Sequence, residues 1–89
     1  MKYEIRYHPS IKKDLKKIDK STAEKFFVLI NSRLKEDPYI GKKLKGKYMN
    51  LWRLKVGSYR IIYQIYGEKL IVLILRFRHR QNIYDSGLF

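Results

Sequence analysis

The sequence predicts an α+β domain of order β-α-α-β-β-β, a helical hairpin packed on an antiparallel sheet. Three observations carry this expectation. Residues 2–7 alternate between apolar and polar side chains. Apolar residues over 11–34 recur at helical spacing. From Leu51 onward the period returns to two, with glycine-bearing turns between the apolar runs.

Tyr3, Ile5 and Tyr7 fall on one face of the first strand, and Lys2, Glu4 and Arg6 on the other. His8-Pro9-Ser10 opens a helix, since proline is tolerated in a first turn, and His8 reads as a helix-start residue. Ile11, Leu15 and Ile18 form the apolar stripe of that helix, with Lys12, Lys13, Lys16 and Lys17 on its solvated face. Asp19-Lys20 is a short connection. Ser21-Thr22-Ala23-Glu24 resembles a capping box for a second helix, striped by Ala23, Phe26, Phe27, Ile30 and Leu34. Asp37-Pro38 ends it. Residues 41–47 are a basic loop. Strands follow over 51–56, 59–66 and 70–78, with turns at Gly57-Ser58 and Gly67-Glu68-Lys69. The unbroken apolar run 70–75 predicts a central strand covered on both faces for part of its length. The tail 79–89 is short, with room for one helical turn over 81–86.

A chain of 89 residues fits one domain, 1–89, with a single modest core. Hydrophobic residues make up 45%, which argues against disorder. Lys and Arg number 21 against 8 Asp and Glu, a net charge of +13 that calls for a polyanionic partner. With no cysteine, a disulfide framework and a thiol nucleophile are both ruled out, which suits a cytoplasmic setting. Met1–Arg6 lacks the apolar stretch of a signal peptide, and no apolar run is long enough to span a bilayer. The two histidines and scattered carboxylates predict no metal site, and no phosphate-cradling glycine motif is present.

Cations dominate instead. Arg53, Lys55, Arg60, Arg76, Arg78, His79 and Arg80 fall on three consecutive strands or their ends, and Lys45 and Lys47 lie in the basic loop before them. Trp52, Tyr59, Tyr63 and Tyr84 are interleaved with them. Cations that hold phosphates beside rings that stack on bases are what single-stranded RNA recognition needs. The helix lysines read as an ordinary solvated face. Arg60 and Arg78 do not, because each interrupts an apolar strand, and arginine clamps phosphate bidentately.

Three segments resemble the RelE family of toxin–antitoxin systems: Lys43-Leu44-Lys45-Gly46, the stretch from Trp52 to Tyr63 containing Tyr59-Arg60-Ile61-Ile62-Tyr63, and Arg78-His79-Arg80-Gln81-Asn82-Ile83-Tyr84. The resemblance covers nearly the whole chain, and its element order is the same. The Tyr-Arg-Ile-Ile-Tyr core marks the wider RelE/ParE superfamily, which includes ribosome-dependent mRNA endonucleases, gyrase inhibitors and inactive members.

The resemblance implies a toxin that enters the ribosomal A site and cuts mRNA without metal or other cofactor. A 2′-hydroxyl attacks the adjacent phosphate. By position, Arg53 and Lys55 match two basic residues of the second strand, and Arg60 the arginine that stabilises the phosphorane. Arg78 matches the arginine that protonates the leaving oxygen, Tyr84 the tyrosine that orients the nucleotide, and Lys45 a supporting cation. Arg53 departs from the lysine of the type protein. Arginine is a poor base, so Lys55 is the better candidate. His79 also departs: a related branch pairs a histidine here with a glutamate that this chain lacks. The implied partners are an acidic RelB-like antitoxin in a hetero-oligomer, the ribosome and mRNA. A ParE-like gyrase inhibitor and a non-catalytic RNA-binding member are the alternatives.

Overall fold

The computed structural model describes residues 2–46 and 50–79. Strand β1 (Glu4–Tyr7) leads into helix α1 (Ser10–Leu15) and helix α2 (Lys20–Leu29). A π-helical turn (Ile30–Leu34) extends α2, and a 3-10 turn follows at Pro38–Ile40. Strands β2 (Lys42–Lys43), β3 (Trp52–Val56), β4 (Tyr59–Tyr66) and β5 (Ile71–His79) complete the order. No helix among the described residues is long and apolar enough to cross a membrane.

The strands form one five-stranded sheet of order β1-β5-β4-β3-β2. It is mixed rather than antiparallel, because β1 runs parallel to β5, with Glu4 opposite Ile71 and Tyr7 opposite Ile74. Alternation assigns faces and is silent on strand direction, so the expectation erred there. The two-residue strand β2 lies within the expected basic loop and is too short to show a period. β4 occupies the middle of the sheet. β5, expected at the centre, lies beside it as an interior strand flanked by β1 and β4. It is covered on both faces for part of its length as expected: Val72 and Ile74 join the main core, while Leu75 joins a second cluster with Leu51 and Ile62.

Helix α2 starts at Lys20, the last residue of the expected connection. Asp19, not Ser21, is its cap: the carboxylate accepts from the Thr22 backbone N–H at 3.1 Å and from the Ser21 and Thr22 hydroxyls at 2.7 Å each. An anionic acceptor at a helix N-terminus outcompetes a hydroxyl for the orphan N–H groups. These donors hold the Asp19 carboxyl down at about 2. In the π-helical turn the Asn31 amide and Ser32 hydroxyl donate back to the Phe27 and Val28 carbonyls, at 2.8 and 2.6 Å.

The helices cover one face of the sheet. Phe26, Ile30 and Leu34 are buried against Ile61, Tyr63, Val72, Ile74 and Phe77. The Phe26 and Phe77 rings lie 4.9 Å apart. The Gly57-Ser58 turn places Gly57 at φ 60, and because Ser58 keeps a negative φ it is a type II′ hairpin turn. This two-residue turn sets the β3–β4 register, and with it the opposite face.

Candidate anion-binding face of the sheet

Side chains two apart on a strand share a face, and residues paired across strands share it too. Lys55 pairs with Arg60, and Arg60 with Arg78. One rung away, Lys42 pairs with Arg53 and Arg53 with Ile62. Ile61 belongs to the helix-covered core and Ile62 to the second cluster, so this cationic set lies on the face away from the helices. The structure thus brings together Arg53, Lys55, Arg60 and Arg78, and adds Lys42, which sequence reasoning missed because its strand is so short.

Arg60 is only 7% exposed. Its Nε and Nη1 are buried with no hydrogen-bond partner, as is Nε of Arg78. Like charges facing each other across a ladder, with desolvated and unpaired N–H groups, destabilise a sheet. Burial pushes the Arg78 guanidinium below its ordinary pKa; the nearby Arg76 cation adds to the effect and Asp14 opposes it. An oxyanion placed between these groups would supply the acceptors that the protein withholds.

Of the other expected members of the RNA surface, three lie among the described residues. Arg76 is engaged with Asp14, its Nε and Nη2 each donating to a carboxylate oxygen at 2.9 Å. A register shift opposite Ile62 and Tyr63 puts Ile74 and Phe77 on the same face and sets Arg76 opposite Ile62, but its guanidinium is taken up by Asp14 of α1. His79 pairs with Tyr59, so it shares the helix-covered face, and the two rings meet edge to face at 5.1 Å. His79 lines a cleft of about 360 Å³ with Asp14, Lys17, Ile18, Tyr59, Phe77 and Arg78. Lys45 is exposed in the loop after β2. Lys47, Arg80 and Tyr84 lie outside the described residues.

Among the described residues, the interleaved aromatics Trp52, Tyr59 and Tyr63 do not form a stacking platform on this face. Trp52, Tyr59 and Tyr63 each neighbour a residue of the open face and therefore point to the other side. Tyr63 is fully buried, its hydroxyl donating to the Pro38 carbonyl at 2.7 Å. Trp52 packs edge-on against Tyr39, and Tyr59 against Phe26. Asp14 was overlooked too. Its signal was present: a lone carboxylate beside Ile11 and Leu15 on the apolar stripe of a lysine-rich helix. Among the described residues, no three of His, Asp and Glu come together as metal ligands would.

A small α+β domain with unpaired arginines on an open sheet face defines a basic, anion-seeking protein. The chain belongs to the family described as ParE toxin of type II toxin–antitoxin system, parDE, which it matches over residues 5–84. It is a type II toxin of the RelE/ParE superfamily. It is 30% identical over 91 residues to RelE1 of Methanocaldococcus jannaschii, covering 97% of this chain and 99% of that one. Toxin RelG of Mycobacterium tuberculosis is 29% identical over 85 residues, covering 94% of this chain and 98% of that one. The toxin–antitoxin complex RelBE2 from Mycobacterium tuberculosis superposes with a TM-score of 0.85 at 27% identity, covering 90% of this chain and 93% of that one.

Proposed function

We propose that this toxin is a metal-independent endoribonuclease that cleaves mRNA on the ribosome and so inhibits translation in the cytoplasm. One observation carries the reading: Arg60 and Arg78 are paired across β4 and β5 with buried guanidinium N–H groups unpaired. A phosphate seated there meets donors already in place, which is electrostatic preorganisation. The 2′-hydroxyl attacks the adjacent phosphorus, the P–O5′ bond breaks, and the 5′-oxygen leaves with a proton. Arg60 stabilises the phosphorane. Arg78, with its pKa depressed, is a better proton donor than an ordinary arginine. Lys55 is the candidate to take the 2′-hydroxyl proton, Arg53 and Lys45 hold the backbone, and Tyr84 orients the nucleotide.

With so few acid–base groups on this face, the substrate must arrive positioned, and the ribosome provides that order. The partner in the resting state is an acidic RelB-like antitoxin; the RelBE2 structure is a toxin–antitoxin complex, which supports this. The test is a translation extract with mapping of mRNA ends. Wild type should cut ribosome-bound message well and naked RNA poorly, and Arg60→Ala should cut neither. Efficient cleavage of naked RNA would contradict the reading. A second reading, a gyrase inhibitor, is favoured by the ParE description of the matched family; gyrase-dependent DNA breaks without mRNA cleavage would establish it instead.

A further inference from the structure

Asp14 is a carboxylate with 3% exposure in a chain that carries 21 Lys and Arg residues. Its oxygens accept from Arg76 Nε and Nη2, and Oδ2 also accepts from the Phe77 backbone N–H at 2.9 Å. Nearby, the Ser10 hydroxyl donates to the Leu75 carbonyl at 2.6 Å, and the His8 N–H to the Ile74 carbonyl at 2.8 Å. Pairing with β1 stops at Ile74, and α1 takes over the edge of β5 from there. Arg78 is the next residue after these ties.

We infer that Asp14 is a positioning residue for Arg78: it anchors the end of β5 and occupies itself with Arg76, leaving the Arg78 guanidinium unpaired on the open face. The inference rests on the reading of Arg78 as part of a phosphate site. A carboxylate has about four lone-pair sites, and Arg76 with Phe77 fill most of them. Arg76 therefore acts as a decoy. Without it, Asp14 would be a buried anion close enough to influence Arg78 and would draw that guanidinium away from substrate. Without Asp14, Arg76 would be a second uncompensated cation beside Arg78, and the strand end would lose its anchor. The influence of both groups on the Arg78 pKa agrees with this closeness.

Nitrogen-15 NMR of the arginine side chains tests the inference with no RNA present. In Asp14→Asn, solvent exchange at Arg78 Nε–H should quicken by about tenfold as the strand end opens more easily, while Arg60 is unchanged. In Arg76→Gln, which keeps the Phe77 anchor, the Arg78 resonance should shift as it pairs with Asp14. An Arg78 signal unchanged in Arg76→Gln would overturn the inference, whether or not Asp14→Asn folds. Binding of a non-cleavable 2′-O-methyl RNA by wild type and Arg78→Ala reports separately on the phosphate-site reading. Equal affinities would sink that reading without bearing on the NMR result.

Discussion

Arg60 on β4 and Arg78 on β5 are directly opposed, and each buries a guanidinium Nε that donates to nothing. No stability argument recommends that pair. A sheet that needed only to fold would place apolar residues there, as it does one rung away with Ile62.

Function and stability should therefore separate at Arg60. Arg60→Leu should lose about 10²–10³ in cleavage rate, the scale of one preorganised donor. It should also gain on the order of 1–3 kcal/mol of stability, since unpaired buried donors are removed. Single-turnover cleavage and urea unfolding measure the two. A variant that is both inactive and less stable would make Arg60 a structural residue.

Gly41 should tolerate no side chain. A Cβ there would lie 2.0 Å from the Tyr63 hydroxyl and 2.5 Å from the Arg53 carbonyl oxygen. Both neighbours are fixed, the first by its bond to Pro38 and the second by the sheet. Gly41→Ala should cost about 1–3 kcal/mol, as overpacking does. Adding Tyr63→Phe should recover only part, because the Arg53 carbonyl remains. Denaturant melts of the two variants decide this.

The Asp19 cap should impose an acid limit. Its hydrogen bonds from Ser21 and Thr22 depress the folded-state pKa from 3.8 to about 2. A depressed carboxyl pKa contributes stability that is complete above the unfolded value and is lost as pH falls through the folded one. The melting temperature should drop between these two values, and less so in Asp19→Ser, whose cap does not titrate. Parallel pH profiles for wild type and Asp19→Ser would disprove the assignment.

Affinity for non-cleavable single-stranded RNA should fall steeply with salt, given the net charge of +13. Removing one phosphate contact with Arg53→Gln should flatten the log–log slope by about 0.7. Fluorescence anisotropy across a salt series gives the slope. An unchanged slope would remove Arg53 from the backbone contacts.

Association with an acidic antitoxin should slow as salt rises, because screening acts on steering more than on packed contacts. Stopped-flow mixing measures it. A rate indifferent to salt would mean that the charge excess serves only the nucleic acid.

Much of this was written in local pattern. Spacing of two put Arg53 and Lys55 on one face, and the short turn at Gly57-Ser58 brought Arg60 opposite Lys55. The helical stripe of Ile11, Phe26, Ile30 and Leu34 announced its own core. Alternation is a property of consecutive residues, so these features are legible without knowing the fold.

Tertiary structure alone decided which face the helices cover, and that choice put Trp52, Tyr59 and Tyr63 on the covered side and the cationic set on the opposite one. It also set β1 parallel to β5, shifted the β4–β5 register opposite Ile62 and gave Asp14 its partners. Those partners stand 62 and 63 residues from Asp14 along the chain. A contact across such a separation exists only once the sheet has closed and α1 has docked on β5, and no local period encodes it.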